Sequence, residues 1–366
     1  MKREKKICYN WAKQKRVCRR RSEIYEKDTR AGAGAGCGGA ALRLRSGGGD
    51  SGPSPFAPEE RDRLVVYTSH KEEVWWPIVR EFEERTGIWV DVVTGGTNEL
   101  LSRIAQEAEA PAADVMFGGG VDSLEVYGDC FEPYVCVQQE AIAERYRSED
   151  GLWTPFSALP VVLIYNTKLL SPGEVADWAD LLQPEFQGKI AFTDPGVSGS
   201  CFTGLVTLLQ AVGGDRDETL RQFARQLEGR ELDSSGDILA AVSSGSCWVG
   251  VTLEESAWKR VQVGDSIAVV YPRDGTSSVP DGSALIRGAV HPDNAKRFLD
   301  FTVSQEVQQL LSDQYRRPVR EDVGTNPALP GLSEVVLVDY DLAWASENHD
   351  AILMSWAFYQ GGEEEP

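Results

Sequence analysis

Several common chemistries lack their raw material in this chain. The seven cysteines, Cys8, Cys18, Cys37, Cys130, Cys136, Cys201 and Cys247, include no C-x-x-C pair, so neither a zinc site nor a thioredoxin-like site is indicated. Cys130 and Cys136 are close enough to pair. No apolar run reaches the ~20 residues of a transmembrane helix. No G-x-G-x-x-G opens a helix and no G-K-[ST] occurs, which leaves nucleotide-binding readings weak. Basic residues are outnumbered, 37 against 57 acidic, for a net charge of −20. Residues 1–30 alone hold twelve Lys or Arg and four acids, net +8, so the remainder carries −28. An acidic body repels phosphate backbones and argues against general nucleic-acid binding. It leaves room for one small anion in a local pocket of N–H donors.

Length and apolar content are ample. The 366 residues, 42% hydrophobic with ten tryptophans, can build two domains with sizeable cores. The first 63 residues cannot contribute. Residues 1–30 are basic and polar, and residues 31–53 are a low-complexity run of Gly, Ala and Ser, so the segment 1–63 is expected to be a disordered tail. Within it Cys37, set among glycines, has the look of a lipid-attachment cysteine, although the residues before it are not the apolar h-region of a secretory signal.

The stretch that organises the rest is Lys189 to Leu209. Lys189–Phe192 is a short buried strand, Asp194 and Pro195 break it, and Gly196–Ser200 is a small hydroxyl-rich turn. From Cys201 the apolar residues recur at helical spacing. A helix start carries unpaired N–H groups and about half a positive charge. With Ser198 and Ser200 beside it and no bulky side chain in the way, it suits phosphate, phosphonate or carboxylate. The alternative is that the serines only cap the helix. Gly196 to Ser200 also falls one residue short of the G-x-S-x-G nucleophile elbow, with Ser in place of the last Gly. A hydrolase using Ser198 would need His291 or His349 as base, and neither sits in a persuasive loop.

The folded body begins as β-loop-α repeats. Strands at Leu64–Tyr67, Ile88–Val93 and Asp114–Phe117 end in Thr68-Ser69-His70, Thr94-Gly95-Gly96-Thr97 and Gly118-Gly119-Gly120, with amphipathic helices at Lys71–Thr86 and Asn98–Ala108. This predicts a parallel sheet with helices on both faces. Its carboxyl strand ends form the ligand crevice. A second α/β unit follows: strands at Val161–Tyr165, Trp248–Thr252 and Ile267–Tyr271, helices at Leu220–Leu227 and Ile238–Val242, and a hydroxyl loop at Ser234-Ser235-Gly236. The chain returns to the first unit near Asp281, through a strand at Ala284–Ile286 and a helix over Pro292–Leu311.

Four segments carry a family resemblance: LVVYTSHKEEVWWPIVREFEERTGIWV, PEFQGKIAFTDPGVSGS, VGVTLEES and VVYPRDGTSSVPDGSALIRGAVHPDNAKRFLDF. In this order and spacing the chain resembles the solute-binding proteins of bacterial ABC importers, over about Leu64 to Val323. The branch resembled holds ferric-ion, hexose-phosphate and aminoethylphosphonate binders. The resemblance implies an α/β, two-lobed periplasmic-binding-protein fold (type 2) with a hinge of two crossover strands. Residues 64–160 and 280–324 would form the first lobe and 161–279 the second, with 325–366 a helical segment of unassigned lobe. It implies capture without catalysis, no cofactor, a membrane permease as partner, a monomer, and a place outside the cytoplasmic membrane.

Within that frame the expected ligand contacts are Ser69, His70, Thr97, Gly119, Asp194, Ser198, Gly199, Ser200, Ser235, Glu254 and Asp281. The Asp-Pro-x-x-Ser-Gly-Ser loop resembles that of the phosphorylated-solute binders, with Asp194 and Glu254 accepting from sugar hydroxyls or pairing with an ammonium. The ferric alternative matches at His70. It fails where that branch has a Tyr-Tyr pair, because this chain reads Thr252-Leu253-Glu254-Glu255-Ser256, and its first-lobe acid falls at Gly118–Gly120. A hard cation needs several oxygen anions.

Overall fold

The computed structural model describes residues 58–361. The expected disordered tail and Cys37 lie almost wholly or wholly outside the described residues. In chain order the elements are β1 (Arg63–Thr68), α1 (Glu72–Thr86), β2 (Trp89–Thr94), α2 (Thr97–Gln106), β3 (Val115–Gly120), α3 (Val121–Val126), β4 (Phe131–Glu132), β5 (Thr154–Ala158) and β6 (Val161–Asn166). Then come β7 (Ile190–Ala191), α4 (Gly199–Val212), α5 (Arg216–Leu227), α6 (Ile238–Ser244), β8 (Val249–Leu253), α7 (Glu254–Gln262), β9 (Ile267–Val270) and β10 (Pro280–Ile286). The last are α8 (Pro292–Thr302), α9 (Gln305–Asp313), β11 (Arg317–Pro318), α10 (Leu342–Glu347) and α11 (His349–Gln360).

Two sheets result. The first runs β11-β5-β10-β3-β1-β2, with β4 also on β10. β1 pairs parallel with β2 and β3, as the repeats predict, but β10 enters antiparallel to β3 and β5. The second runs β7-β8-β6-β9, and β6 is antiparallel to both neighbours. The parallel order expected of the repeats holds for β1, β2 and β3, while the whole sheet is mixed: a strand that returns from another sheet arrives with its direction set by the crossover, which local periodicity does not encode. The chain passes between the sheets twice, from β5 to β6 and from β9 to β10.

Each sheet has its own core. One face of the first carries α1 and α8, where Phe82, Phe298, Phe117 and Phe156 meet edge to face in succession. The second core gathers β6–β9 with α4, α5 and α6 and buries Trp178, whose indole N–H donates to the Gly275 carbonyl at 2.8 Å. The final segment joins this second core through Ala345, Ile352 and Trp356. It also touches the first, since Tyr340 belongs to both clusters and its hydroxyl donates to Asp122 of α3 at 2.8 Å.

Several element bounds shift for local reasons. The helix expected over Pro292–Leu311 is two, because Ser304 caps a new start by accepting from the Val307 N–H, as its residue type favours. Cys130 and Cys136 are free thiols. Among the described residues no helix is long and apolar enough to cross a membrane.

Candidate solute-binding cleft

A cavity of about 760 Å³ opens between the two sheets, at the carboxyl ends of the first sheet's strands. Two helix starts converge on it. Gly96 precedes α2 and Ser198 precedes α4, and the two come so close that a Cβ on Gly199 would lie 3.3 Å from Thr97 Cβ. Ser198 Oγ accepts from the Cys201 N–H at 3.4 Å and lies 3.1 Å from Ser200 Oγ. Ser198 thus caps the helix while both serines face the cavity; the two readings of this turn are compatible. Asn98 crosses the gap and donates to the Gly196 carbonyl at 3.0 Å.

β3 runs on through the glycines that the sequence suggested as a loop. Gly118 and Gly119 both have φ of +103°, and an added Cβ would come within 2.8 Å of His70 Nε2 and 2.7 Å of Thr97 Cγ2. Both backbone angle and space therefore demand glycine there, and the missing side chains let His70 and Thr97 close over the strand end.

Nine of the eleven expected contacts line the cavity: Ser69, His70, Thr97, Gly119, Ser198, Gly199, Ser200, Ser235 and Asp281. Two do not. Asp194 Oδ1 accepts from the Gly196 N–H at 2.8 Å, the turn-forming role open to any Asp before Pro. Glu254 is 1% exposed and turns away from the cavity. It takes both arms of the Arg317 guanidinium at 2.7 Å and the Tyr271 hydroxyl at 2.5 Å. Its place at the cavity goes to Glu255, the next residue round the first turn of α7.

Sequence reasoning also missed Arg316. Tyr315, with φ of +65°, ends α9 in the left-handed region and turns the chain back, carrying Arg316 under the cavity floor. Its Nη1 donates to Asp281 Oδ2 at 2.8 Å and Ser157 Oγ at 2.9 Å, and its Nε lies 3.5 Å from Glu255 Oε2. Asp281 Oδ1 accepts the Ser157 N–H and O–H at 2.8 and 2.7 Å. Burial pushes the Glu255 carboxyl up, but the Arg316 and Lys259 cations outweigh it and hold it below the ordinary value. The doublets Glu254-Glu255 and Arg316-Arg317 were the one available signal, and only a fold can bring residues sixty apart together.

His70 lies against Phe117 and Phe156, with centroids 4.6 and 5.0 Å away. Burial, and then the Arg316 cation, hold its imidazole well below the ordinary pKa. An unfolded chain takes that proton near pH 6.5. Below that pH the unfolded state binds more protons than the folded one, so stability is intact above about pH 6.5 and lost as pH falls. The loss reaches at most about 1.4 kcal/mol per pH unit. His70→Gln should flatten this slope between pH 7.5 and 5.5 in urea denaturation; an unchanged slope would show that His70 keeps an ordinary pKa.

Residues 115–343, well over half of the chain, match the family described as bacterial extracellular solute-binding protein. The chain belongs to that family. Among relatives of this solute-binding protein, iron uptake protein A1 of Synechocystis sp. is 26% identical over 320 residues, 80% of this chain and 86% of that one. A putative 2-aminoethylphosphonate-binding periplasmic protein of Salmonella typhi is 25% identical over 265 residues, 66% and 73% of the two chains. The fold matches that of the periplasmic binding protein AfuA from Actinobacillus pleuropneumoniae, solved with fructose-6-phosphate, at a TM-score of 0.76 and 22% identity over 82% of this chain and 98% of that one. The two sheets are thus the two lobes of a periplasmic-binding-protein fold, and the two passages between them are its crossovers. This solute-binding protein is the capture component of an ABC importer and not an enzyme; it works outside the cytoplasm with a membrane permease.

Proposed function

We propose that the cleft captures a small organic anion, a phosphate ester or phosphonate, by closure of the two lobes. The observation that carries this reading is the meeting of two helix starts, α2 and α4, from opposite lobes at Thr97 and Ser198–Ser200. Their free N–H groups and hydroxyls form a nest of neutral donors that suits an anion. Each hydrogen bond to a charged group is worth about 1.5–3 kcal/mol, so three or four can support micromolar binding after ordering costs. Relatives named for iron uptake and for phosphonate binding stand at similar identity, so the residues must choose. Among the described residues no group of three or more His, Cys, Asp or Glu side chains could hold a metal ion, and no tyrosine lines the cavity. His70, the feature shared with the ferric branch, lines the cavity but is only 8% exposed, packed against Gly118 and beside the buried Asp281.

The protein acts as a monomer on this reading, and Cys37 is the candidate point for a lipid tether. Calorimetry against a hexose phosphate, 2-aminoethylphosphonate, succinate and ferric citrate tests the ligand class. Binding of phosphorus compounds at micromolar concentration is expected. Binding of ferric iron alone, with a visible charge-transfer band, would overturn the reading.

A further inference from the structure

The organic half of the solute has to meet the opposite wall of the cleft, and the charge there is already arranged. We propose that Arg316 is a specificity-determining residue: it occupies both buried carboxylates of the cleft, Asp281 and Glu255, and so restricts the rest of the solute to uncharged, hydroxylated groups. This rests on the anion reading above and goes further, because that reading admits amino-phosphonates as readily as sugar phosphates.

Each carboxylate oxygen already faces a cation or a donor, Glu255 Oε2 through an ion pair of 3.5 Å that is not a hydrogen bond. Asp281, 2% exposed, gives Oδ1 to Ser157 and Oδ2 to Arg316. Glu255, 5% exposed, gives Oε1 to Lys259 at 2.6 Å and faces Arg316 with Oε2. A solute ammonium would have to displace a guanidinium or a lysine from a desolvated partner, and would sit beside a fixed cation of its own sign. The exposed Lys71 at the mouth adds a second positive charge. The remaining acids of the cleft, Glu99 and Asp233, are exposed, where solvent reduces an ion pair to little; Glu99 already accepts the Gly96 N–H at 3.2 Å.

What the wall does offer is hydrogen bonding. Ser69, Ser235 and Ser256 face the cavity. Two buried nitrogens, Arg316 Nε at 3.5 Å from Glu255 Oε2 and His70 Nε2 at 3.6 Å from Asp281 Oδ2, face a carboxylate without a hydrogen bond to it. A polyol carrying one phosphate supplies hydroxyls to such groups and no second charge.

The test uses the whole protein and three ligands in calorimetry: fructose 6-phosphate, ethylphosphonate and 2-aminoethylphosphonate. The expected result is fructose 6-phosphate the tightest by at least tenfold, and the amino compound within about threefold of ethylphosphonate. If the amine gives tenfold or more over ethylphosphonate, this inference fails while the anion reading stands. If no phosphorus compound binds, the anion reading itself falls and this inference with it. In Arg316→Gln the amine should gain at least tenfold over ethylphosphonate; no gain removes Arg316 from the role. Should that variant not fold, Glu255→Gln serves instead. It leaves Arg316 Nε free for a solute carboxylate, so phosphonoacetate should gain at least tenfold over ethylphosphonate relative to the unmodified protein, and an unchanged ratio overturns the proposal.

Discussion

Replacing Arg317 by methionine should lower the melting temperature by roughly 10 °C. The guanidinium, 3% exposed in its side chain, is held bidentately by Glu254, 1% exposed. Methionine leaves that carboxylate in a buried site with only the Tyr271 hydroxyl. Stranding one member of a buried pair costs about 3–5 kcal/mol, whereas replacing both members by apolar residues is often neutral. Arg317→Met with Glu254→Leu should therefore recover most of the loss. Differential scanning calorimetry of the single and double variants separates the cases. A single variant that melts with the unmodified protein would show that the pair contributes nothing, and a double variant no better than the single would show that the guanidinium stem matters more than its charge.

Ser198→Ala combined with Ser200→Ala should weaken binding of a phosphate ester by at least about tenfold, since two hydrogen bonds to a charged group are lost. The backbone donors of α4 remain, so binding is reduced and not abolished. Part of the change is structural, because Ser198 caps α4 through the Cys201 N–H, and losing such a cap costs about 1 kcal/mol of stability. The two effects part in measurement. A thermal melt without ligand reports the cap; the dissociation constant from calorimetry reports the donors. Unchanged affinity in a folded double variant would place the anion elsewhere in the cleft.

The sequence makes these loops legible because local chemistry dictates them. Hydroxyls and glycines at strand ends, as at Thr68-Ser69 and Thr94–Thr97, form a β-to-α turn in any α/β fold, and periodicity locates the elements they join. It says nothing of strand direction, so the antiparallel arrival of β10 and β8 was hidden. The choice between neighbours was hidden too: Glu254 and Glu255 both follow β8, and helical rotation sends one to a buried arginine and the other to the cavity. Arg316 was the hardest to see. Its role depends on Asp281 and Glu255, which lie 35 and 61 residues away in sequence, and on the left-handed turn at Tyr315, where no glycine marks the spot.

The two arginines and two glutamates also set an energetic gradient along the hinge. Glu254 sits beside a crossover, its N–H donating to the Pro160 carbonyl at 2.9 Å. Glu255 lies one step farther out, and the Lys259–Glu73 pair, at 2.9 Å, is on the rim. Opening the cleft would therefore separate these pairs, which join elements of the two lobes. The rim pair is the most exposed of the three, so ionic strength should weaken it and leave the buried pairs almost unchanged. Bonds that join the lobes without solute raise the population of the closed arrangement that holds it, and apparent affinity scales with that population. Affinity is thus partly set outside the cavity lining, by the Glu254–Arg317 and Lys259–Glu73 pairs.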